Sequence, residues 1–99
     1  MLKDFLKRKE IRLYANELTL KYFSTTEKRK IESFDTKKSS KRIQSLTRQL
    51  NTESQMYARD KGLGVYGKAK LAKEIQSSLE NLEFDSDLIS YVTNSVIRN

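Results

Sequence analysis

Cationic side chains between residues 37 and 48 have the types and spacing that could hold phosphate groups. Five Lys and Arg residues lie in this segment: Lys37, Lys38, Lys41, Arg42 and Arg48. On a helix they fall broadly opposite an apolar stripe that contains Ile43, Leu46 and Leu50. Neutralising phosphates releases condensed counterions, so this pattern predicts a nucleic-acid-binding helix face. The alternative interpretation is a solvated helix face without a partner.

A second set of basic residues follows a glycine-rich turn. All three glycines lie within residues 62–67, and Lys68 and Lys70 come directly after them. Free backbone amides at the start of a helix favour negative charge, so Lys68 and Lys70 are predicted to bind phosphate as well. The alternative is a purely structural linker in which Gly62 ends the preceding helix in a left-handed conformation. Tyr66 could stack on a base there or pack on the neighbouring helix.

The same turn contains the pattern GxGxxG, which in other proteins indicates a dinucleotide site. Such a site needs a strand before the glycines and a second strand afterwards. Residues 56–61 instead have a helical pattern, and the chain is too short for a doubly wound sheet. We therefore reject a dinucleotide site, and we expect no cofactor.

The sequence offers little for catalysis. It contains no Cys and no His, so nucleophilic or metal chemistry would depend on Asp, Glu, Lys, Ser or Tyr. The one dense group of carboxylates consists of Glu80, Glu83, Asp85 and Asp87. This group flanks a predicted helix start, where carboxylates cap free amides. We expect a protein that is not an enzyme, with no catalytic residue and no metal site.

The charge is distributed unevenly along the 99 residues. Residues 1–50 contain 14 Lys and Arg and 6 Asp and Glu, whereas residues 51–99 contain 6 and 7, for a net charge of +7. Segregation of charge indicates that one half faces an anion. The prediction is one helical domain with a basic half, 1–50, and a near-neutral to acidic half, 51–99.

The absence of proline and the clustering of glycine favour long helices. We predict an all-α bundle of four or five helices. The predicted helices cover residues 2–23, 25 to about 35, 36–50, 68–82 and 88–97. A capping box at residues 24–27 begins the second helix. The third helix either continues to Asp60 or gives way to a short separate helix capped at 51–54, and β-branched residues make a strand the alternative for the last helix.

The first helix is apolar on two opposite sides. One side contains Leu2, Phe5, Leu6, Leu13, Leu20 and Phe23. The other side contains Ile11, Tyr14, Ala15, Leu18 and Tyr22. A helix of this kind must be covered on both faces. It is either a central helix of its own bundle or a dimer helix, and the second interpretation predicts self-association through Ile11, Tyr14, Leu18 and Tyr22.

Together these patterns predict a small, basic, non-catalytic nucleic-acid-binding accessory or regulatory protein. DNA ranks before RNA as the partner, and a homodimer is one option for the oligomeric state. The alternative is a helical protein-interaction module, such as an inhibitor, immunity or assembly factor, whose basic face binds an acidic protein. No apolar run approaches the ~20 residues of a membrane span, so we expect a cytoplasmic protein with no membrane partner.

Overall fold

Five α-helices make up the computed structural model, which describes the backbone of residues 2–98 and the side chains of residues 7–98. The helices are α1 Leu2–Tyr22, α2 Thr25–Ser33, α3 Thr36–Asp60, α4 Val65–Asn81 and α5 Ser86–Arg98. The all-α prediction is therefore confirmed, and the last segment is a helix, not a strand. None of these five helices, over the part of the chain just given, has the length and apolar character needed to cross a bilayer.

The four longer helices contact one another in a ring. α1 packs on α4 and α3, and α5 packs on the other sides of α4 and α3, so that α3 and α4 lie diagonally across the bundle. The short α2 packs on α3. The largest fully buried apolar side chains come from α3, α4, α5 and the α1–α2 connection: Phe23, Leu50, Leu71, Ile75, Leu79, Val92 and Val96.

The α1 face that was predicted to self-associate packs inside the chain's own bundle, as in the alternative of a central helix. Ile11 and Leu18 are buried in the chain's own core, and Tyr14 and Tyr22 pack against it. These four residues are therefore covered within one chain, which corrects the expectation that they meet a second copy. The physical reason is that α1 packs on both α3 and α4, and these two helices cover the face that contains Ile11 and Leu18.

The opposite face of α1 is the outer one where its side chains are described. Leu13 and Leu20 are each 53 % exposed, whereas Phe23 follows the helix and turns into the core. The remaining members predicted for this face, Leu2, Phe5 and Leu6, lie outside the described side chains. The apolar residues left in solvent on α1 are thus different from those predicted to self-associate.

Polar contacts between α1 and α3 fix the position of α3. The rings of Tyr14 and Tyr57 stack with centroids 3.7 Å apart, and the Tyr14 hydroxyl donates to the Glu53 backbone carbonyl at 3.1 Å. The Glu53 carboxylate accepts from the Tyr22 hydroxyl and from Lys21 Nζ, the latter at 3.0 Å. Burial raises the pKa of Tyr14 to about 12, and the hydrogen bond from Tyr22 lowers the pKa of Glu53. Together, the stacked rings and these hydrogen bonds hold α3 on α1 in one register.

The predicted cap at Ser24 begins α2, and a cap at Asp35, which was not predicted, begins α3. The Ser24 hydroxyl accepts from the Glu27 backbone N–H at 3.2 Å, and the Asp35 carboxylate accepts from the Lys38 N–H at 2.8 Å. Each cap satisfies an amide that has no partner inside its helix. Only two residues separate α2 from α3, so the caps fix where the basic helix starts.

Two helices end in the same backbone motif with different residues at the left-handed position. After α3, Gly62 has φ +63°, and the Leu63 N–H donates to the Ala58 carbonyl at 2.9 Å. After α4, Glu83 has φ 61°, and the Phe84 N–H donates to the Leu79 carbonyl at 3.2 Å. Both are Schellman endings, for which glycine is the favoured residue because it has no Cβ. The predicted left-handed Gly62 is confirmed.

Substituting Glu83→Gly is expected to raise the free energy of unfolding. A residue with a Cβ loses roughly 1–2 kcal/mol of stability in the left-handed region, and glycine avoids this cost. Glycine also has more entropy in the unfolded chain, which offsets roughly 0.5–1 kcal/mol of that advantage. The net gain in the free energy of unfolding is therefore about 0.5–1 kcal/mol. The matched change Gly62→Ala should lower the free energy of unfolding by a similar amount. Urea unfolding of both variants measures the effect. Equal stability of the two variants and the unaltered protein would show that a side chain at these left-handed positions causes no strain.

Candidate nucleic-acid interface

α3 presents its cations on a single uninterrupted helix. It runs without a break to Asp60, so the alternative of a separate helix capped at residues 51–54 is wrong. Leu46, Leu50 and Ala58 are buried on its inner face, and Ile43 packs against the same core. The predicted apolar stripe therefore faces inward and directs the opposite face of α3 to solvent.

Four cations share the outward face of α3, and we name this set the α3 stripe: Lys37, Lys41, Arg48 and Arg59. At about 100° per residue they fall within a narrow sector, and no Asp or Glu of α3 falls in that sector. All four are exposed, and none has a carboxylate within 4.0 Å among the residues with described side chains. The stripe is about 33 Å long at 1.5 Å per residue.

Arg59 was not predicted as a site residue. It joins the α3 stripe only because α3 continues past Leu50, a point that the sequence left open. The signal was present in the helical spacing, since Arg59 lies eleven residues after Arg48 and eleven residues make about three turns. Reading α3 as one helix would have found it.

Arg42 was predicted to hold phosphate, and the structure corrects this. Its Nη2 lies 2.5 Å from Glu27 Oε1 and its Nε lies 3.3 Å from Oε2, a two-point ion pair between α3 and α2. These hydrogen bonds raise the pKa of Arg42. The Glu27 side chain therefore does not complete the predicted capping box. Arg42 instead neutralises a carboxylate that is only 9 % exposed, which a charge at that depth requires.

Lys38 lies over an aromatic ring. Its Nζ is 4.4 Å from the centroid of Phe34, the residue that ends α2. The two residues line an open depression of about 610 Å³ together with Lys30, Lys41 and Arg42. This depression connects Lys30 of α2 to the N-terminal end of the α3 stripe. Lys38 thus stays on the basic surface, although it is held against Phe34.

Lys68 and Lys70, the second predicted phosphate site, lie on α4. Lys70 forms an ion pair with Glu74 one turn later on α4, with Nζ 2.8 Å from Oε1. Lys68 is half-buried. α4 begins at Val65, three residues earlier than predicted, with Gly64 as a cap residue that supplies no side-chain hydrogen bond. Because α4 lies diagonally across the bundle from α3, the structure does not bring Lys68 and Lys70 together with the α3 stripe.

The acidic group near the C-terminal helix serves as a cap. The Asp85 carboxylate accepts from the Asp87 backbone N–H at 3.1 Å, and the Asp85 carbonyl accepts from the Ile89 N–H at 3.0 Å. Asp85 therefore starts α5 in the way that the sequence indicates. Among the described residues, no three Asp, Glu, His or Cys side chains are grouped so that they could hold a metal ion.

No protein family, no curated protein and no solved structure matches this chain. The structure itself defines a helical bundle with one long cationic face on α3. The described parts of the bundle thus separate into a packed core and a surface stripe of fixed positive charge.

Proposed function

We propose that this protein is a non-catalytic nucleic-acid-binding accessory or regulatory protein that grips the phosphate backbone of a duplex through the α3 stripe. The observation that supports the proposal is the combination of two faces on one helix. The inner face is docked in the core at Leu46 and Leu50, while the outer face carries exposed cations without carboxylates. A docked helix loses little further entropy when its cations bind, which favours association.

The spacing along the stripe suits a phosphate backbone. Lys37 and Lys41 are separated by about 6 Å along the helix axis, and Lys41 and Arg48 by about 10 Å. Each strand of a duplex offers a phosphate every ~3.4 Å along its axis, so long flexible side chains at these intervals reach phosphates of one strand. Ser40 and Gln44 lie beside the cations and add hydrogen bonds to phosphate oxygens. This arrangement supports binding by charge and shape, not by a base code.

A salt titration tests the proposal. Four phosphate contacts on duplex DNA give a slope of about −3.6 for log affinity against log salt concentration, because each contact contributes about −0.9. Fluorescence anisotropy with a labelled DNA duplex, and with an RNA duplex of equal length, measures the slope and the preference between them. Absence of binding to both duplexes at ~150 mM salt would reject the proposal.

The second candidate is a protein-interaction module whose basic face binds an acidic protein. The exposed Leu13 and Leu20 favour it, since two leucines half in solvent on the outer face of α1 suit a protein partner and add nothing to phosphate binding. In this case the α3 stripe would bind neither duplex. A cytoplasmic location, a homodimer and a preference for DNA over RNA stay predictions from the sequence.

A further inference from the structure

A second basic groove lies between the N-terminal parts of α1 and α4 and is lined in part by the turn that joins α3 to α4. Its volume is about 740 Å³, which is within the range of sites for small ligands. Ile11 and Leu63 give it an apolar lining. Gly67 lies directly against Leu63, where an added Cβ would approach the Leu63 Cβ to 2.9 Å. The absence of a side chain at Gly67 therefore lets this wall close onto α4.

The charges around the groove are positive. Lys7 and Arg8 line it from α1, and Lys70 and Lys73 line it from α4, and no Asp or Glu is among the lining residues whose side chains are described. Lys70 is paired with Glu74. Lys7, Arg8 and Lys73 have no carboxylate within 4.0 Å among the residues whose side chains are described. An anionic group entering the groove would therefore meet three cations that no described carboxylate neutralises.

The rim of the groove carries an aromatic ring in solvent. Tyr66 lines the groove and is 83 % exposed, and the adjacent Val65 is 88 % exposed. The other described tyrosines of the bundle are more covered, the next most exposed being Tyr91 at 47 %. A ring that packs on the neighbouring helix would be largely covered, so that alternative for Tyr66 does not account for its exposure.

We propose that this groove binds an unpaired segment of nucleic acid, with one base stacked on Tyr66 and the adjoining phosphates held by Lys7, Arg8 and Lys73. An exposed aromatic ring next to a cationic channel is the combination that single strands use, because every base has a face that stacks and every nucleotide has a charge. The apolar lining at Ile11 and Leu63 accepts the sugar and the base edge. An acidic peptide would neutralise the same cations but would leave Tyr66 unused.

This proposal deepens the proposed function by adding a site for unpaired nucleotides, but it uses no residue of the α3 stripe. A duplex buries its base faces and offers nothing to stack on Tyr66. The two sites therefore predict separable effects, since the stripe acts on duplex affinity and the groove acts on single-strand affinity.

Binding of a labelled oligothymidylate and of an oligouridylate to the whole protein tests the proposal. Tyr66→Ala is expected to weaken single-strand binding about tenfold, because one base loses its stacking on an aromatic ring, while duplex binding stays unchanged. Tyr66→Phe should retain single-strand binding because it keeps the ring. Tyr91→Ala is the matched control and should bind like the unaltered protein. Circular dichroism verifies that all three variants are folded.

Several outcomes would overturn the proposal. One is equal binding of the single strands by Tyr66→Ala and the unaltered protein. Another is an equal loss of affinity with Tyr91→Ala, and a third is displacement of the single strand by oligoglutamate at equal charge concentration. A loss of duplex binding on mutation of the α3 stripe, with single-strand binding retained, would support the groove. If the unaltered protein binds single strands but no duplex, the proposed function of the stripe fails and the groove stands.

Discussion

Replacing Lys37, Lys41 and Arg48 together with glutamine is expected to lower the affinity for duplex DNA about 100-fold at ~150 mM salt. Each phosphate contact releases about 0.9 of a counterion, which at this salt concentration contributes about a fivefold gain in affinity. Removing three contacts should also reduce the steepness of the salt dependence by about 2.7 in the log–log slope. The stability should hardly change, because surface substitutions away from special contacts usually stay within about 0.5 kcal/mol.

A control of equal charge separates the stripe from net charge. Substituting Lys9, Arg12 and Lys73 with glutamine also removes three positive charges; all three are exposed, and Lys73 lies on α4, diagonally across from α3. By helical spacing, Lys9 and Arg12 lie on the side of α1 away from Tyr14, which contacts α3. We expect the control to bind duplex DNA within about threefold of the unaltered protein, since distant charges are largely screened at this salt concentration. Equal losses in the two triple variants would contradict a binding role for the stripe.

Arg59 measures how far the interface extends. Adding Arg59→Gln to the stripe variant should reduce the remaining salt slope by about one further unit, because a fourth contact is lost. The anisotropy titration used for the other variants applies here without change. An unaltered slope would place the end of the interface before Arg59.

α3 carries one cation that is paired within the protein, Arg42, and others without a described carboxylate partner, such as Lys37 and Lys41. A mutation series should therefore treat these two groups differently. Arg42 pairs with the shielded Glu27 carboxylate, so removing it would leave a poorly hydrated charge without its partner. A loss of binding after such a change would mix unfolding with lost phosphate contact. Lys37 and Lys41 carry no such pairing in the described structure, and their loss reports on binding alone.

Local signals predicted the helices and most of their ends. Ser24 accepts a hydrogen bond from the Glu27 amide, Asp85 caps the start of α5, and Gly62 ends α3 in a left-handed conformation. These features depend on only a few neighbouring residues, so they can be predicted from the local sequence. The inner face of α3 was predictable for a related reason, since Leu46 and Leu50 recur with the period of a helix.

Contacts between helices were beyond the reach of the sequence. Glu27 has the spacing of a capping box with Ser24, yet its carboxylate pairs with Arg42, fifteen residues away. The choice depends on how α2 lies against α3, which local pattern does not encode. The two faces of α1 pose the same problem, because both are apolar and only the positions of α3 and α4 decide that Ile11 is inside and Leu13 outside.

Leu50→Ala is expected to lower the free energy of unfolding by about 3 kcal/mol, within the 2–5 kcal/mol usual for such truncations in a core. Leu50 is completely buried, and the loss combines its transfer free energy with the cavity left among the packed helices. At roughly 4–8 °C per kcal/mol in a domain of this size, the melting temperature should fall by about 12–24 °C. Urea unfolding and thermal melting followed by circular dichroism measure both quantities.

Leu50 and Arg48 stand two residues apart on α3 and provide the sharpest comparison in the molecule. Below its melting transition, Leu50→Ala should still bind duplex DNA normally, because the cavity lies on the face opposite the α3 stripe. Arg48→Gln should have the reverse effect, losing affinity about fivefold while keeping its stability. If Leu50→Ala cost less than about 1 kcal/mol, α3 would not be docked through this face, since a buried leucine cannot be truncated so cheaply. The outward direction of the cations would then lose its cause, because only the docking of Leu46 and Leu50 turns them to solvent.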